Sequence, residues 1–507
     1  MLGRQRRGKC AAVAAWHPPR SNFDEGQALT ETTAGRGRRG AKLFLVGSLT
    51  AQACALLRYT ILARLLGPEQ LGLVAVLTLA TNFFEMISDT GADRFLVQDR
   101  DGDKPEVQSL VQLVFALRGL FMAIGLALAA WPIAAWFGEP ALIVGLAVLG
   151  FAPLIGGLLH LDLRRLQRTN DFRIEGRGMV ASELLGLAAT LVAAFATRDY
   201  TAVLYGLITR SLVLVVVSHI YAERAYRWAW PAEHVRRLRT FAIPLIINGV
   251  LLFAASQSDR MMISGLLGLE ALGRYTAILL LVLYPSMAIS RFVQGIHLPL
   301  VAKDPLNASR AGPADLLGGQ SLLLALGMII GFAVVAPPVV PLLFGHEFQQ
   351  AAWLIALIGV LQGGRFLRVW TVTLALGIGQ SRIVTANTLA RALGIPAAAL
   401  GYALIGGVAG VVSGFIFGEL AALVTGVLLL NRARNKPAAY DFDRIVMFAS
   451  GSVIVLALTN TLERQWTWGL AVLIPAAIAF TAWTFNRERE TVRSGLELAA
   501  RMLKRAK

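Results

Sequence analysis

The connection between the first two apolar stretches of the chain reads Leu65-Leu66-Gly67-Pro68-Glu69-Gln70-Leu71-Gly72. One stretch, near residues 42–64, precedes this octapeptide, and the other, near residues 71–92, follows it. Each has about the twenty residues that a helix needs to cross hydrocarbon at 1.5 Å per residue. The octapeptide is therefore predicted to be the loop between two membrane spans.

Twelve further apolar runs follow in the sequence. They lie near residues 109–132, 141–161, 179–197, 202–221, 241–263, 272–293, 315–336, 349–370, 383–403, 408–430, 445–461 and 466–485. Only helices and closed barrels satisfy their backbone in lipid, and the runs lack the alternation of barrel strands. Only 16% of the 507 residues are charged, against about 25% in soluble domains. We therefore predict an all-α polytopic membrane protein with about fourteen transmembrane helices.

The octapeptide has an echo after the seventh predicted span, Leu266-Leu267-Gly268-Leu269-Glu270-Ala271-Leu272-Gly273. A second echo keeps the same order: Ile124-Gly125, Pro132 and Phe137-Gly138 recur as Ile330-Gly331, Pro338 and Phe344-Gly345. A repeated unit of six spans keeps its orientation, because six is even. The pattern predicts two pseudo-symmetric six-helix lobes related by an axis along the membrane normal. Spans 13 and 14 fall outside the repeat and form a C-terminal helical pair.

The chain is thereby divided into five parts. These are a disordered basic tail over residues 1–40, an N-terminal lobe over 41–235, a C-terminal lobe over 236–440, spans 13 and 14 over 441–486, and a basic tail over 487–507. Helical spacing of apolar residues in the last part predicts an amphipathic helix lying on anionic lipid. A solvated tail is the alternative.

Basic residues are concentrated in alternate loops. One set comprises Arg164, Arg165, Arg168, Arg173, Arg177, Arg224, Arg227, Arg236, Arg237, Arg239, Arg432, Arg434, Lys436 and Arg444. The excess of Lys and Arg on cytoplasmic loops places this set, and both termini, in the cytoplasm. The topology explains the net charge of +17 without a nucleic-acid partner.

Several chemical functions are disfavoured by the motifs. With Cys10 and Cys54 as its only cysteines, and no Cys/His cluster at ligand spacing, the chain predicts neither a disulfide framework nor a metal site. It has no GxxxxGK[ST] loop and so no ATPase of its own. We expect no catalytic residues and no cofactor. The short loops leave no room for a soluble active site.

Charges inside the spans require an explanation, since an Arg at mid-membrane costs about 2.5–3.5 kcal/mol on insertion scales. Arg58 lies eight residues before Leu66, roughly 12 Å from the end of its span. The repeat offset maps Arg58 onto Asp259, which is followed by Arg260. Charges at equivalent depth in both lobes predict a central polar cavity. A structural pair between Arg58 and Asp259 is the alternative.

Other spans carry further arginines. Arg118, Arg210 and Arg391 are predicted to lie well inside, with Glu419 at the depth of Arg391 as a structural partner. Arg365 and Arg368 are placed near the end of the tenth span, where they would snorkel to the interface. The excess of positive charge suits an anionic substrate such as a phosphate or diphosphate.

Acidic residues follow another pattern. Glu85, Asp89 and Asp93 recur every four residues, which predicts one face of the second span. Adjacent carboxylates repel, which raises the pKa of at least one and favours binding of a proton or Na⁺. We predict Glu85 and Asp89 as ion-coupling residues, with Glu183 as a weaker candidate. The alternative is a set of partners for Arg94 and nearby loop arginines.

A resemblance to a known family is carried by Leu62-Ala63-Arg64-Leu65-Leu66-Gly67-Pro68-Glu69-Gln70-Leu71-Gly72. This stretch resembles the first-loop signature of lipid-linked oligosaccharide flippases, the Wzx-type exporters of the multidrug/oligosaccharidyl-lipid/polysaccharide superfamily. Asp89-Thr90-Gly91-Ala92 with Val97-Gln98, and Leu166-Gln167-Arg168 with Asp171-Phe172-Arg173, are similar to two later segments of that family. The resemblance spans residues 41–485 and is strongest before residue 180.

The resemblance implies a flippase of the bacterial inner membrane. Such a protein moves an undecaprenyl-diphosphate-linked oligosaccharide, an O-antigen or exopolysaccharide unit, from the inner to the outer leaflet by alternating access. An ion gradient would drive it, and a polysaccharide polymerase and glycosyltransferases would act beside it. We expect a monomer. The headgroup would pass through a cationic cavity whose candidate residues are Arg58, Arg118, Arg210, Asp259, Arg260 and Arg391.

Three alternatives stay open. A cation-coupled multidrug exporter of the same superfamily would favour an acidic cavity, which the arginines disfavour. A flippase for a peptidoglycan precursor would share the cationic cavity but fits the signatures less well. A membrane polysaccharide polymerase or ligase usually needs a large external loop. The longest external segment, around Pro337–Gln350, is short and offers only His346 and Glu347 for chemistry.

Overall fold

The computed structural model describes residues 27–169, 171–303, 312–437 and 441–494. Within these ranges the chain forms sixteen α-helices and a 3₁₀ helix at His346–Phe348, with no β-strand. The α-helices are α1 (Gln27–Ile87), α2 (Ala92–Gln98), α3 (Pro105–Phe137), α4 (Ala141–Leu149), α5 (Phe151–Gly156), α6 (Asp162–Gln167), α7 (Arg173–Thr197), α8 (Ala202–Ile220), α9 (Ala232–Lys303), α10 (Pro313–Phe344), α11 (Ala352–Gly377), α12 (Ser381–Ala392), α13 (Gly394–Ile405), α14 (Gly407–Ala433), α15 (Phe442–Glu463) and α16 (Thr467–Arg487).

Most of these helices are long and apolar. In the described part of the chain, eleven helical segments have the length and composition to cross a membrane. A shorter apolar segment, Ala141–Gly156, comprises α4 and α5. The prediction of an all-α polytopic membrane protein is confirmed at this level.

Two helices, α1 and α9, are each bent once by a glycine. Gly67 has φ 78° and ψ 177°, and Gly268 has φ 84° and ψ −177°, a backbone region that essentially only glycine occupies. Side chains on the two sides of each bend touch: the Tyr59 hydroxyl lies 3.0 Å from that of Thr78. Across the other bend, a side chain that precedes Gly268 forms a hydrogen bond with one that follows it. Both α1 and α9 are therefore helical hairpins.

The two hairpins pack against each other at their tips. A Cβ on Gly72 would lie 2.0 Å from the carbonyl oxygen of Leu269, and one on Gly273 would lie 1.9 Å from that of Pro68. Pro68 and Leu269 occupy the same position of the repeated octapeptide. The contact is thus reciprocal, as it is between two copies related by a two-fold axis. The largest apolar core includes buried residues of both hairpins.

Polar contacts fix this end of the bundle, called here the Gly67 end. The Arg64 Nε donates a hydrogen bond to the carbonyl of Leu343 at 2.8 Å. In the second half, the Arg274 Nε donates to the carbonyl of Glu347 at 2.9 Å. The tip of hairpin α1 is therefore tied to the last turn of α10, and the tip of hairpin α9 to the 3₁₀ helix that follows it.

The opposite end, called here the Asp101 end, is held by ion pairs. Arg237 at the start of α9 contacts Asp99 at 2.6 Å and Asp101 at 2.8 Å. Hydrogen bonds from Lys104 and Arg237 lower the pKa of Asp101 to about 2. These contacts join the connection between α2 and α3 to the beginning of the second half of the chain.

The predicted terminal tails are only partly described. Residues 1–26 and 495–507 lie outside the described ranges, while residues 27–40, assigned to the tail from sequence, form the beginning of α1. The division at residues 235, 440 and 486 into lobes and a helical pair stays a prediction.

Candidate functional site

A buried carboxylate in the first half of the chain is shared by two arginines. Glu183 of α7 accepts a hydrogen bond from the Arg210 Nε of α8 at 2.5 Å. Its other oxygen lies 3.5 Å from Nη2 of Arg58, on α1. Arg58 and Glu183 are only 6% and 5% exposed, whereas the Arg210 side chain is 46% exposed. This trio carries one net positive charge.

A polar cavity of about 200 Å³ lies beside this trio. Its lining includes Arg118, Arg210, Glu85 and Ser211 from α1, α3 and α8. Arg118 donates to the hydroxyl of Ser88 at 3.0 Å and to the backbone carbonyl of Glu85 at 2.9 Å. The structure thus brings together three of the sequence-predicted residues, Glu85, Arg118 and Arg210, in one cavity.

The second half has a buried acid on α9. Asp259, 1% exposed, accepts hydrogen bonds from the Tyr275 hydroxyl at 2.6 Å and from the Arg365 Nη2 at 2.9 Å. Tyr275 and Arg365 come from the returning arm of the hairpin and from α11. Because a buried charge is stable only when it is paired and hydrogen-bonded, these two partners explain how Asp259 is accommodated.

Glu419 of α14 is the second buried acid of this half. Its oxygens contact the Nε atoms of Arg391 at 2.5 Å, Arg368 at 3.1 Å and Arg365 at 3.4 Å. The predicted pair between Arg391 and Glu419 is confirmed. Since Arg365 reaches both Asp259 and Glu419, the five charges form one network across α9, α11, α12 and α14.

One alternative and one prediction that the sequence suggested for these charges are wrong. Arg58 does not pair with Asp259, because each contacts a partner from its own half. Arg365 and Arg368 do not snorkel, because α11 extends to Gly377 and places Arg365 about 18–20 Å from both helix ends. The predicted span ended near residue 370, so it put both arginines too close to the interface. A predicted span that continued to Gly377 would have placed both arginines deep in the membrane.

Arg260 differs from the other arginines. Its Nη1 lies 3.3 Å from the side-chain oxygen of Gln257, and in the described ranges no carboxylate lies within 4 Å of it.

The acids predicted for one face of the second span are not on one helix. Helix α1 ends at Ile87, and Asp89 lies in the turn before α2. Its carboxylate accepts from the Gly91 N–H at 3.0 Å and from the Arg94 Nη2 at 3.2 Å. For Asp89 the alternative prediction, a partner for Arg94, is confirmed. Asp93 lies within α2, so Glu85 is the only member left in a span.

Two apolar grooves are also present. One of about 840 Å³ lies between α10, α15 and α16, and another of about 430 Å³ lies between α1, α3 and α9. In the described part of the chain, no group of three His, Cys, Asp or Glu side chains is placed to hold a metal ion.

Comparisons with known proteins give a consistent result. A family described as "Polysaccharide biosynthesis protein" matches residues 61–353, more than half of the chain. The succinoglycan biosynthesis transport protein ExoT of Rhizobium meliloti (strain 1021) is 27% identical over 336 residues, which are 66% of this chain and 67% of ExoT. The lipopolysaccharide biosynthesis protein WzxC of Escherichia coli (strain K12) is 22% identical over 394 residues, 75% of this chain and 78% of WzxC.

Solved structures show the same fold. The lipid II flippase MurJ in an inward closed conformation aligns with a TM-score of 0.62 at 12% identity, covering 88% of this chain and 99% of MurJ. The Vibrio cholerae MATE transporter VcmN aligns with a TM-score of 0.54 at 15% identity, covering 82% and 100%. At these identities the likeness concerns the fold alone.

Proposed function

The chain belongs to the polysaccharide biosynthesis protein family, and on this premise we propose that it is a lipid-linked oligosaccharide flippase. It moves an O-antigen or exopolysaccharide unit, carried on undecaprenyl diphosphate, from the inner to the outer leaflet of a bacterial inner membrane. The names of ExoT and WzxC, which refer to succinoglycan transport and lipopolysaccharide biosynthesis, support this substrate class. Glycosyltransferases would supply the substrate, and a polysaccharide polymerase would consume it.

The observation that carries the proposal is the surplus of positive charge between the helices. Five arginines share the carboxylates of Glu183, Asp259 and Glu419, and Arg260, which has no carboxylate within 4 Å in the described ranges, adds a sixth positive charge. Among these nine side chains the surplus is three positive charges. Guanidinium groups bind phosphate oxygens through paired, charge-assisted hydrogen bonds. A diphosphate entering between the halves would supply the negative charge that the protein itself lacks.

We infer alternating access from the contacts at the two ends. The halves meet through the octapeptides at the Gly67 end and through the ion pairs of Arg237 at the Asp101 end. Opening one end while the other stays closed would expose the site to one side at a time. The basic loops favour a cytoplasmic location for the Asp101 end and both termini. Two crossings for each hairpin, and one for Ala141–Gly156, would give fourteen spans.

Glu183 is the group best placed to couple transport to protons. It contacts Arg58, so a substrate phosphate that binds Arg58 would compete with this carboxylate. A carboxylate displaced from Arg58 in this way is then free to bind a proton. Glu85 lines the adjacent cavity and is a second candidate. Asp89 is a poor one, because the Gly91 N–H and Arg94 already hold its oxygens.

The proposal is tested by the leaflet accessibility of a lipid-linked oligosaccharide in proteoliposomes. The wild-type protein should equilibrate the lipid between leaflets. Arg58→Ala and Arg260→Ala should each slow this by about tenfold or more, since a hydrogen bond to a charged group contributes about 1.5–3 kcal/mol. Arg100→Ala, at a side chain that is 79% exposed in the Asp101 end, is the matched control and should leave the rate unchanged.

Because the fold is similar to that of VcmN, a multidrug exporter is the alternative function. The same proteoliposomes separate the two functions. If the wild-type protein fails to move the oligosaccharide lipid but exports a cationic dye against a proton gradient, the flippase proposal is wrong.

A further inference from the structure

An apolar groove of about 430 Å³ lies where the two halves of the chain meet. The second arm of hairpin α1, the end of α3 and the first arm of hairpin α9 line it. Every lining side chain is hydrophobic, apart from Ser264. The groove thus combines the chemistry of a hydrocarbon site with a position on the surface between the halves.

The shape of the groove is that of a slot with two aromatic ends. The rings of Phe83 and Phe253 meet edge to face, 5.1 Å apart, across the boundary between the halves. Toward the Gly67 end, Trp136 lies against Gly265. Along α9 the groove runs from Phe253 to Ser264, eleven residues or about 16 Å. Trp136 is 73% exposed, so the slot is open on the side that faces lipid.

A cation lies on the same face of α9. Residues seven and eleven positions after Phe253 share its side of a helix, and these are Arg260 and Ser264. Arg260 contacts Gln257 and has no carboxylate within 4 Å in the described ranges. An apolar slot with a cation on the same face of α9, which no described carboxylate contacts within 4 Å, complements a lipid that has a long hydrocarbon chain and an anionic headgroup.

We propose that this groove binds the polyprenyl chain of the carrier lipid while its diphosphate contacts Arg260. The proposal rests on the proposed function and adds a location for the hydrophobic part of the substrate. The chain lies lengthwise between Phe253 and Trp136, and the headgroup lies between the halves. The larger groove between α10, α15 and α16 is less suited, since none of its lining residues belongs to α9.

Photolabelling of the full chain in nanodiscs tests the proposal, with a polyprenyl diphosphate that carries a diazirine in its isoprenoid chain as the probe. Labelled peptides should come from residues 129–137 and 253–264. Unlabelled polyprenyl diphosphate should compete, and the same concentration of an acyl phospholipid should not. If the phospholipid competes equally, or if the label maps only to α10, α15 and α16, the proposal is overturned.

Two alanines of α3 provide a matched pair of variants. Ala129 lines the groove, whereas Ala127, two residues earlier, is exposed. Ala129→Trp fills the groove and should lower labelling several-fold, while Ala127→Trp should leave it unchanged. Equal labelling of both variants contradicts the proposal. If Ala129→Trp fails to fold, as judged by gel filtration, Ser264→Phe obstructs the groove from α9 and should give the same loss.

The two proposals fail separately. If the groove is labelled but the protein does not translocate the lipid in proteoliposomes, the flippase proposal is wrong and the lipid-site proposal stands. If the wild-type protein translocates the lipid but the groove is not labelled, the lipid-site proposal is wrong and the flippase proposal stands.

Discussion

Gly67 and Gly268 adopt the same backbone conformation, with φ near 80° and ψ near 180°, although they belong to different halves of the chain. Each turns a long helix into a hairpin, and the hairpins then touch reciprocally through Gly72 and Gly273. The two octapeptides therefore share a backbone bend as well as a sequence pattern. A Cβ at Gly67 would also lie 3.1 Å from Oε2 of Glu347, so Gly268 is the better site at which to test the bend alone.

Gly268→Ala should lower the free energy of unfolding by about 1–3 kcal/mol, the cost of a non-glycine residue in this backbone region. A Cβ at Gly268 would meet nothing within 4 Å, so the loss reports backbone strain alone. Gly331→Ala is the control, since its Cβ also meets nothing and its φ is not positive. Thermal unfolding in detergent measures both. Equal midpoints for the two variants would contradict the role of the bend.

Arg365→Gln should destabilise the protein by about 3–5 kcal/mol, because it leaves Asp259 as a buried charge with a lost partner. The double variant with Asp259→Asn should recover part of this loss, since no charge is then left alone. Glu270→Gln breaks the pair between the half-exposed Glu270 and Arg274 and should cost at most about 1 kcal/mol. Chemical unfolding in micelles measures all three. Similar losses for Arg365→Gln and Glu270→Gln would refute the buried network.

Glu183→Gln should strengthen binding of a polyprenyl diphosphate several-fold and remove the acceleration of transport by a proton gradient. The neutral amide no longer competes for Arg58 and has no carboxylate to protonate. Binding is measured in nanodiscs, and transport in proteoliposomes with and without a pH difference. Glu270→Gln, at an exposed pair, is the control and should change neither. If a proton gradient still accelerates transport by Glu183→Gln, then Glu183 is not the proton-coupling residue.

Lowering the pH from 7.5 to 5.5 should destabilise the connection between α5 and α6. His160 there lies with Nε2 2.9 Å from the carbonyl of Arg224, and its Nδ1 accepts from the Asp162 N–H. Burial lowers the pKa of His160 below its usual value. The unfolded chain, with a His pKa of about 6.5, then binds the proton more readily, so this stability is present above that pH and is lost below it.

His160→Gln should flatten that pH dependence, and the exposed His346→Gln should not. Thermal unfolding across the pH range measures the difference. Asp162 does not interfere in this window: burial raises its pKa, but hydrogen bonds from Arg165 and the Glu223 N–H lower it by more. An unchanged pH profile in His160→Gln would show that the histidine stays neutral in both states.

Some of the candidate site was open to prediction. Arg391 and Glu419 were placed at similar depth in consecutive spans, and they pair at 2.5 Å. Arg365 was misplaced because the apolar run ends before the helix does. Asp89 was assigned to a helix face, although α1 ends at Ile87.

The sequence by itself determined quantities that run along the chain. Apolar runs indicated where most helices lie, the octapeptides marked where two of them bend, and counting at 1.5 Å per residue placed Arg391 and Glu419 at a common depth. Only the tertiary structure decided which charges meet. The repeat offset gave Arg58 and Asp259 the same depth, but the direction of a side chain around its helix depends on which helices pack beside it. That packing brings together residues far apart in sequence, and so Arg58 pairs with Glu183 and Asp259 pairs with Arg365.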